Sequence, residues 1–172
     1  MPVWRLAGAA ALVLLAGCAS LAPPGADVLA GRLSVRVDGQ AERALNVGFE
    51  LGGDAQRGSL LLTGPLGTTA AQASWLPGQA LLRSAGSESR HADLDSLGRA
   101  ALGEALPMAA LFDWLRGRAW AGAPSQPRAD GRPGFQQLGW QIDLARWADG
   151  TLEAVRPAPP AITVRARVER AP

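Results

Sequence analysis

Hydrophobic and polar positions alternate along most of the chain, with turn residues between the alternating runs. Successive side chains of a strand point to opposite faces of a sheet, so this period-two pattern is typical of half-buried strands. It predicts about ten or eleven antiparallel strands, the clearest covering residues 33–37, 45–51, 59–63, 69–75, 80–83, 88–92, 138–144, 152–156 and 162–168. Their close spacing predicts a meander that curls towards a barrel.

Two helices interrupt this strand pattern in the middle of the chain. Asp95 is the predicted N-cap of the first, which its glycines weaken. The second is clearer, because proline is favoured in the first turn of a helix, where Pro107 would lie. Leu111, Trp114 and Leu115 also lie on one face of this helix. The glycine- and proline-rich segment 117–134 then predicts an irregular loop. The fold class is therefore mainly β with a helical lid, an α+β arrangement.

An apolar segment precedes the strands. Residues 1–17 carry one charge, Arg5, and their apolar run is shorter than the roughly 18 residues that span a bilayer, which indicates a removable export signal. Residues 18–30 contain Pro23, Pro24 and Gly25 and predict a tether. Residues 31–172 are long enough for one domain.

The signal ends in Leu-Ala-Gly-Cys, and this sequence resembles the lipobox of bacterial lipoproteins. The resemblance implies that the chain is cut before Cys18, which then carries fatty acyl chains such as palmitate. Ala19 stands where many inner-membrane lipoproteins have an aspartate, so the resemblance favours the outer membrane. The alternative is a general secretory signal in which the cysteine is incidental.

The composition excludes several classes of function. Cys18 is the only cysteine and His91 the only histidine, so neither disulfides nor a multi-histidine metal site is expected. All 17 basic residues are arginines, set against 15 scattered carboxylates, so the basic patch of a nucleic-acid-binding protein is missing. Without lysine there is also no Walker motif.

A hydrolase would have to rest on His91. Ser87, Ser89, Asp93 and Asp95 lie near it in sequence, but no G-x-S-x-G motif occurs. The two aspartates are explained by the positive end of the following helix, where negative charge is stabilised. We therefore expect no enzyme, and a histidine at a strand end or on the surface.

Two apolar features stand out. Leu66 occupies the tip of a turn that contains Pro65 and Gly67, although turns usually carry polar residues. It either projects into a membrane or folds back onto the barrel. The chain also has six tryptophans but three phenylalanines and no tyrosine. These rings are either ordinary core residues or the wall of a slot for an acyl chain.

Four segments, 31–35, 61–68, 107–117 and 135–140, resemble the LolB family of outer-membrane lipoprotein receptors in order and spacing. There are two departures. Leu51 stands where the family often has tryptophan, and residues 167–172 lack the apolar pair and tryptophan that often end the last strand.

The resemblance implies an unclosed antiparallel barrel with helices over an apolar cavity. It also implies that the protein takes acylated lipoproteins from LolA, a soluble periplasmic carrier, and inserts them into the outer membrane. It would be a monomer without a cofactor, lipid-anchored at the periplasmic face. Leu66, with its neighbours Pro65 and Gly67, would act in insertion.

We expect the cargo's acyl chains to lie between the second helix and the sheet. The candidate lining consists of six apolar residues: Phe49, Trp75, Leu111, Trp114, Leu115 and Trp140. Two other functions stay open, namely an envelope lipoprotein that binds another lipid or a glycolipid, and an assembly scaffold.

Overall fold

Eleven antiparallel strands form one sheet in the computed structural model, which describes residues 28–169. The strands are β1 (Leu29–Val37), β2 (Leu45–Gly53), β3 (Gly58–Thr63), β4 (Thr69–Leu76), β5 (Gln79–Ser84), β6 (Ser87–His91), β7 (Ser125–Pro127), β8 (Gly134–Gln137), β9 (Trp140–Asp143), β10 (Thr151–Arg156) and β11 (Ile162–Glu169). Two helices, α1 (Leu94–Leu102) and α2 (Met108–Trp114), lie between β6 and β7. The predicted lipid attachment at Cys18 and the predicted signal segment lie outside the described residues.

The sheet is a meander whose first and last strands meet at its centre. Its strand order is β6-β5-β4-β3-β2-β1-β11-β10-β9-β8-β7, so β6 and β7 are the two edges and the barrel is not closed. β1 pairs with β11 from Ala30 opposite Glu169 to Val37 opposite Ile162. The predicted fold class, an unclosed antiparallel barrel of about ten or eleven strands with a helical lid, is confirmed.

The alternation of the sequence appears directly in the burial of the central strands. Along β1, Leu33, Val35 and Val37 are buried and point into the interior, whereas Arg32 and Arg36 are exposed on the outer face. Corresponding positions of the other long strands join the same core. Burial of these apolar side chains, about 1.5–3 kcal/mol for each large one, favours the observed register over a slip by one residue.

The N-cap of helix α1 is Asp93 and not the predicted Asp95. The Asp93 carboxylate accepts a hydrogen bond of 2.7 Å from the Ser96 backbone N–H, and the Ser96 hydroxyl accepts one from the Asp93 N–H. The bond from the Ser96 backbone N–H to the carboxylate holds the pKa of Asp93 below its usual value. Asp95 instead accepts from the Met108 N–H at 3.1 Å, which links the two helices, and α1 ends at Gly103 with φ of +77°.

Helix α2 follows its prediction, with Pro107 at the N-cap and Gly117 just beyond its end. Gly98 of α1 lies against α2: a Cβ atom there would be 2.3 Å from Cγ of Met108. The glycine that weakens α1 as a helix therefore permits the two helices to approach closely. Neither helix is long and apolar enough to cross a membrane.

The strand predicted over 138–144 is confirmed for Trp140–Asp143, but its start is wrong, because residues 138 and 139 form a hairpin turn. β8 and β9 pair with Gln137 opposite Trp140, and the turn between them contains Leu138 and Gly139. Both turn residues have positive φ, as two-residue hairpin turns require. Leu138 is consequently exposed, and Gln137 takes the inward position. The predicted loop 117–134 also contains a short strand, β7, which pairs with β8.

Candidate functional site

Helix α2 lies inside the curve of the sheet and contacts strands from both halves. Phe112 stacks on Trp75 of β4, with ring centroids 5.3 Å apart and planes inclined by 9°. Two residues later, Trp114 packs against Trp140 of β9 at 5.8 Å. Five strands separate β4 from β9 in the sheet order, so contact with both requires the sheet to curl around the helix.

A buried side-chain amide, that of Gln137, joins α2 to the far edge of the sheet. Its Oε1 accepts hydrogen bonds from Trp114 Nε1 at 2.9 Å and from the Trp120 N–H at 3.0 Å. Its Nε2 donates to the carbonyls of Trp120 at 2.7 Å and Ala123 at 2.8 Å. The residue is only 2% exposed, so the amide needs these partners. The sequence analysis missed Gln137, because it did not predict the hairpin turn at Leu138 that makes Gln137 point inward.

Two arginines fix the helical region to the other half of the sheet. Arg116 donates from Nη1 to the Phe112 carbonyl at 2.9 Å and from Nη2 to the Gly53 carbonyl of β2 at 3.1 Å. Arg43 donates from Nη2 to the Gly103 carbonyl at 3.0 Å and forms an ion pair of 3.1 Å with Glu104. The lid is thus held by a few directional bonds around a large apolar contact.

The six candidate lining residues all belong to this apolar contact. Each is 4% exposed or less, and all lie in one hydrophobic core: Phe49, Trp75, Leu111, Trp114, Leu115 and Trp140. These side chains are thus almost closed to solvent and pack together in the described core. Their role in binding an acyl chain stays a prediction, and it requires the lid to move.

The turn between β3 and β4 projects from the sheet. The Gly64 N–H donates to the Thr68 carbonyl at 2.9 Å and the Gly67 N–H to the Gly64 carbonyl at 3.0 Å, which closes a tight loop with positive φ at Gly67. Leu66 at its tip is 92% exposed, more than the other exposed large apolar residues among 28–169. The leucine therefore points outward and does not fold back onto the barrel.

The structure does not assemble a catalytic group at His91. Its Nε2 lies 3.0 Å from the Ser89 hydroxyl on the edge strand β6. The nearby carboxylates have other partners, since Asp93 caps α1 and Asp95 bonds to Met108. No described carboxylate is therefore aligned with the imidazole, as a hydrolytic triad would require.

The described part of the chain is thus an open β-barrel with a closed apolar interior, a helical lid and a projecting loop with an exposed leucine at its tip. Residues 28–170 match the family model described as Outer membrane lipoprotein LolB. The chain belongs to the LolB family, and this confirms the predicted role as a lipoprotein receptor at the outer membrane. The family is one of lipoprotein transport and not of enzymes.

Several curated relatives are similar over most of their length, and each is named Outer-membrane lipoprotein LolB. The protein of Bordetella petrii is 40% identical over 162 residues, which cover 85% of this chain and 81% of the relative. That of Chromobacterium violaceum is 34% identical over 148 residues, covering 80% and 79%. That of Halorhodospira halophila is 31% identical over 166 residues, covering 84% and 80%.

Replacing Gln137 by leucine tests the polar connection of the lid. Gln137→Leu leaves the Trp114 Nε1–H and the Trp120 N–H buried without acceptors, at about 1–3 kcal/mol each. We expect the free energy of unfolding, measured by urea denaturation, to fall by about 2–5 kcal/mol. Gln136→Leu is the matched control on the same strand, and an equal loss in both variants would contradict the role of the amide.

Proposed function

We propose that the chain takes acylated lipoproteins from a LolA-type carrier in the periplasm and places them in the outer membrane. The observation that carries this proposal is the combination of a closed apolar core under a lid with the projecting Leu66. Exposing an acyl chain to water costs about 0.8 kcal/mol per methylene. Cargo must therefore pass from one apolar interior to another and then into lipid.

Cargo chains would enter between α2 and the sheet. Phe112 and Trp114 hold α2 against Trp75 and Trp140 by apolar contacts. An acyl chain can replace such contacts because dispersion and apolar burial have no strict direction. Transfer then needs only a gradient of affinity along the route, with no cofactor and no covalent step.

Leu66 would act at the membrane surface. A leucine side chain gains about 1.5–3 kcal/mol when it moves from water into an apolar environment. On a short loop closed by two backbone hydrogen bonds, it can enter the acyl region without exposing the core of the barrel. The lipid on Cys18 would keep the protein at the periplasmic face of the outer membrane, while the loop and the interior handle the cargo.

Leu66→Glu separates insertion from uptake. A carboxylate cannot replace leucine in the acyl region, so insertion of fluorescent acylated lipoprotein into vesicles should slow by about ten- to 100-fold. Uptake from loaded LolA, measured by transfer of the cargo between the two proteins, should be unchanged. Leu76→Glu is the control, because Leu76 is an exposed leucine at the opposite end of β4. Normal insertion by the Leu66 variant would refute the role of the loop.

Quenching of tryptophan fluorescence locates the bound acyl chain. A lipoprotein with a brominated acyl chain should quench Trp140, which lies in the closed core beside α2. Trp140→Phe should remove much of this quenching, whereas Trp147→Phe, outside the six lining residues, should leave it. If both variants are quenched like the parent protein, the chain does not lie between α2 and the sheet.

A form without the lipid anchor tests the division of labour between Cys18 and the domain. The helices, strands and core of residues 28–169 are formed by contacts among those residues, so we expect the domain to fold without the anchor. The anchor-free form, residues 19–172, should accept acylated lipoprotein from LolA at the rate of the lipidated protein. An assembly scaffold would accept none, and that result would remove the proposed function.

A further inference from the structure

Two arginines face each other on the outer surface of the sheet, at its centre. Arg32 of β1 lies directly opposite Arg167 of β11. Both are exposed, and neither forms an ion pair with another residue of the described chain. Like charges at directly opposite positions destabilise a sheet. Packing and stability therefore do not explain this pair.

The arginine pair borders a cleft that runs to the Leu66 loop. The cleft has a volume of about 950 Å³, and its walls include Gly64, Pro65 and Gly67 of that loop. Gly48 lies opposite Arg32 on β2, and the hydroxyl of Thr63 occupies the space that a Cβ atom at Gly48 would need. Thr63 continues the same row and leads directly into the loop. One continuous surface thus joins the two guanidinium groups to the membrane loop.

The other arginines of the cleft already have anionic partners. Arg165 forms an ion pair with Glu153 across β10 and β11, and Arg146 forms one of 3.7 Å with Asp149. Arg32 and Arg167 are therefore the unpaired cations of the cleft within residues 28–169. An anion of the right geometry would relieve their mutual repulsion.

The acidic residues of the cleft lie away from the loop. Glu50 and Glu169 are both opposite Ala30, one row farther along the strands from the loop than the arginine pair. The row nearer to the loop contains the uncharged Ser34 and Asn46 and, opposite Ser34, Arg165, whose charge is paired with that of Glu153. The unpaired positive charge therefore faces the end of the sheet from which Leu66 projects.

We infer that Arg32 and Arg167 bind the phosphate groups of anionic phospholipids in the membrane that the loop enters. This inference rests on the proposed function of Leu66. Leu66 is three residues beyond Thr63, which lies in the same row as the arginine pair. Along the strand direction, this row is therefore at most about 10 Å from the tip of the loop. With Leu66 among the acyl chains, the guanidinium groups would reach the phosphates, which arginine binds through paired hydrogen bonds. The pair would set the depth and orientation of the loop.

Vesicle sedimentation tests the phospholipid contact with the anchor-free form. The vesicles contain phosphatidylethanolamine with about a quarter phosphatidylglycerol. Near an anionic surface each arginine contributes about fivefold in affinity, so Arg32→Gln/Arg167→Gln should bind about 30-fold more weakly. Arg57→Gln/Arg90→Gln removes the same charge at the opposite end of the strands and should change binding by no more than about twofold.

Thermal denaturation tests whether weaker binding merely reflects unfolding. The Arg32/Arg167 double variant should have a melting temperature equal to or above that of the parent protein. Unchanged vesicle binding, or an equal loss in the Arg57/Arg90 control, would overturn the inference. The inference would also be overturned if the Arg32/Arg167 variant bound vesicles normally but accepted less cargo from LolA. The pair would then contact the carrier and not the membrane.

The same assay separates this inference from the function of the loop. Leu66→Glu should weaken binding to pure phosphatidylcholine vesicles as well as to anionic ones, whereas the arginine variant should lose only the added affinity for anionic lipid. If Leu66→Glu inserts cargo normally, the proposed function of the loop fails. Loss of the anionic preference in the arginine variant would still support the phosphate site.

Discussion

The lid depends on one polar group inside an apolar interior, the side-chain amide of Gln137. An amide can accept and donate at the same time, and here it accepts from Trp114 and Trp120 and donates to Trp120 and Ala123. At this position a carboxylate would lack the hydrogen-bond donors, and an apolar side chain would lack both donors and acceptor. The amide thereby fixes α2 and the segment after it to β8, and the ring contacts of α2 with β4 and β9 follow from that position.

In the proposed function, this arrangement would allow the protein to be closed and still take up an acyl chain. Apolar contacts provide most of the attraction between α2 and the sheet, and they place few demands on geometry. The directional bonds are few, and they are formed by Gln137, Arg116 and Arg43. In the proposed function, an entering acyl chain replaces apolar contacts between α2 and the sheet with apolar contacts of its own. Without cargo, the interior stays shielded from water.

Local patterns in the sequence predicted most of the fold. The central strands were found because their inward and outward positions differ sharply in polarity. The hairpin between β8 and β9 was missed because Leu138, an apolar residue in a turn, continues the alternation of Trp140 and Ile142. Asp93 was missed as the cap of α1 because Ser96, and not glutamate or glutamine, completes its capping box.

The candidate site shows why prediction stopped where it did. Leu66 was recognised because an apolar residue in a turn can be identified from the six residues of the turn alone. Gln137 was missed together with the local hairpin that turns it inward. The Arg32–Arg167 pair depends on which strands meet, since β1 and β11 come from opposite ends of the domain. Their pairing gives the centre of the sheet two different faces. The inner face, with Leu33 and Val35, closes the interior, and the outer face brings together two cations that no single segment contains.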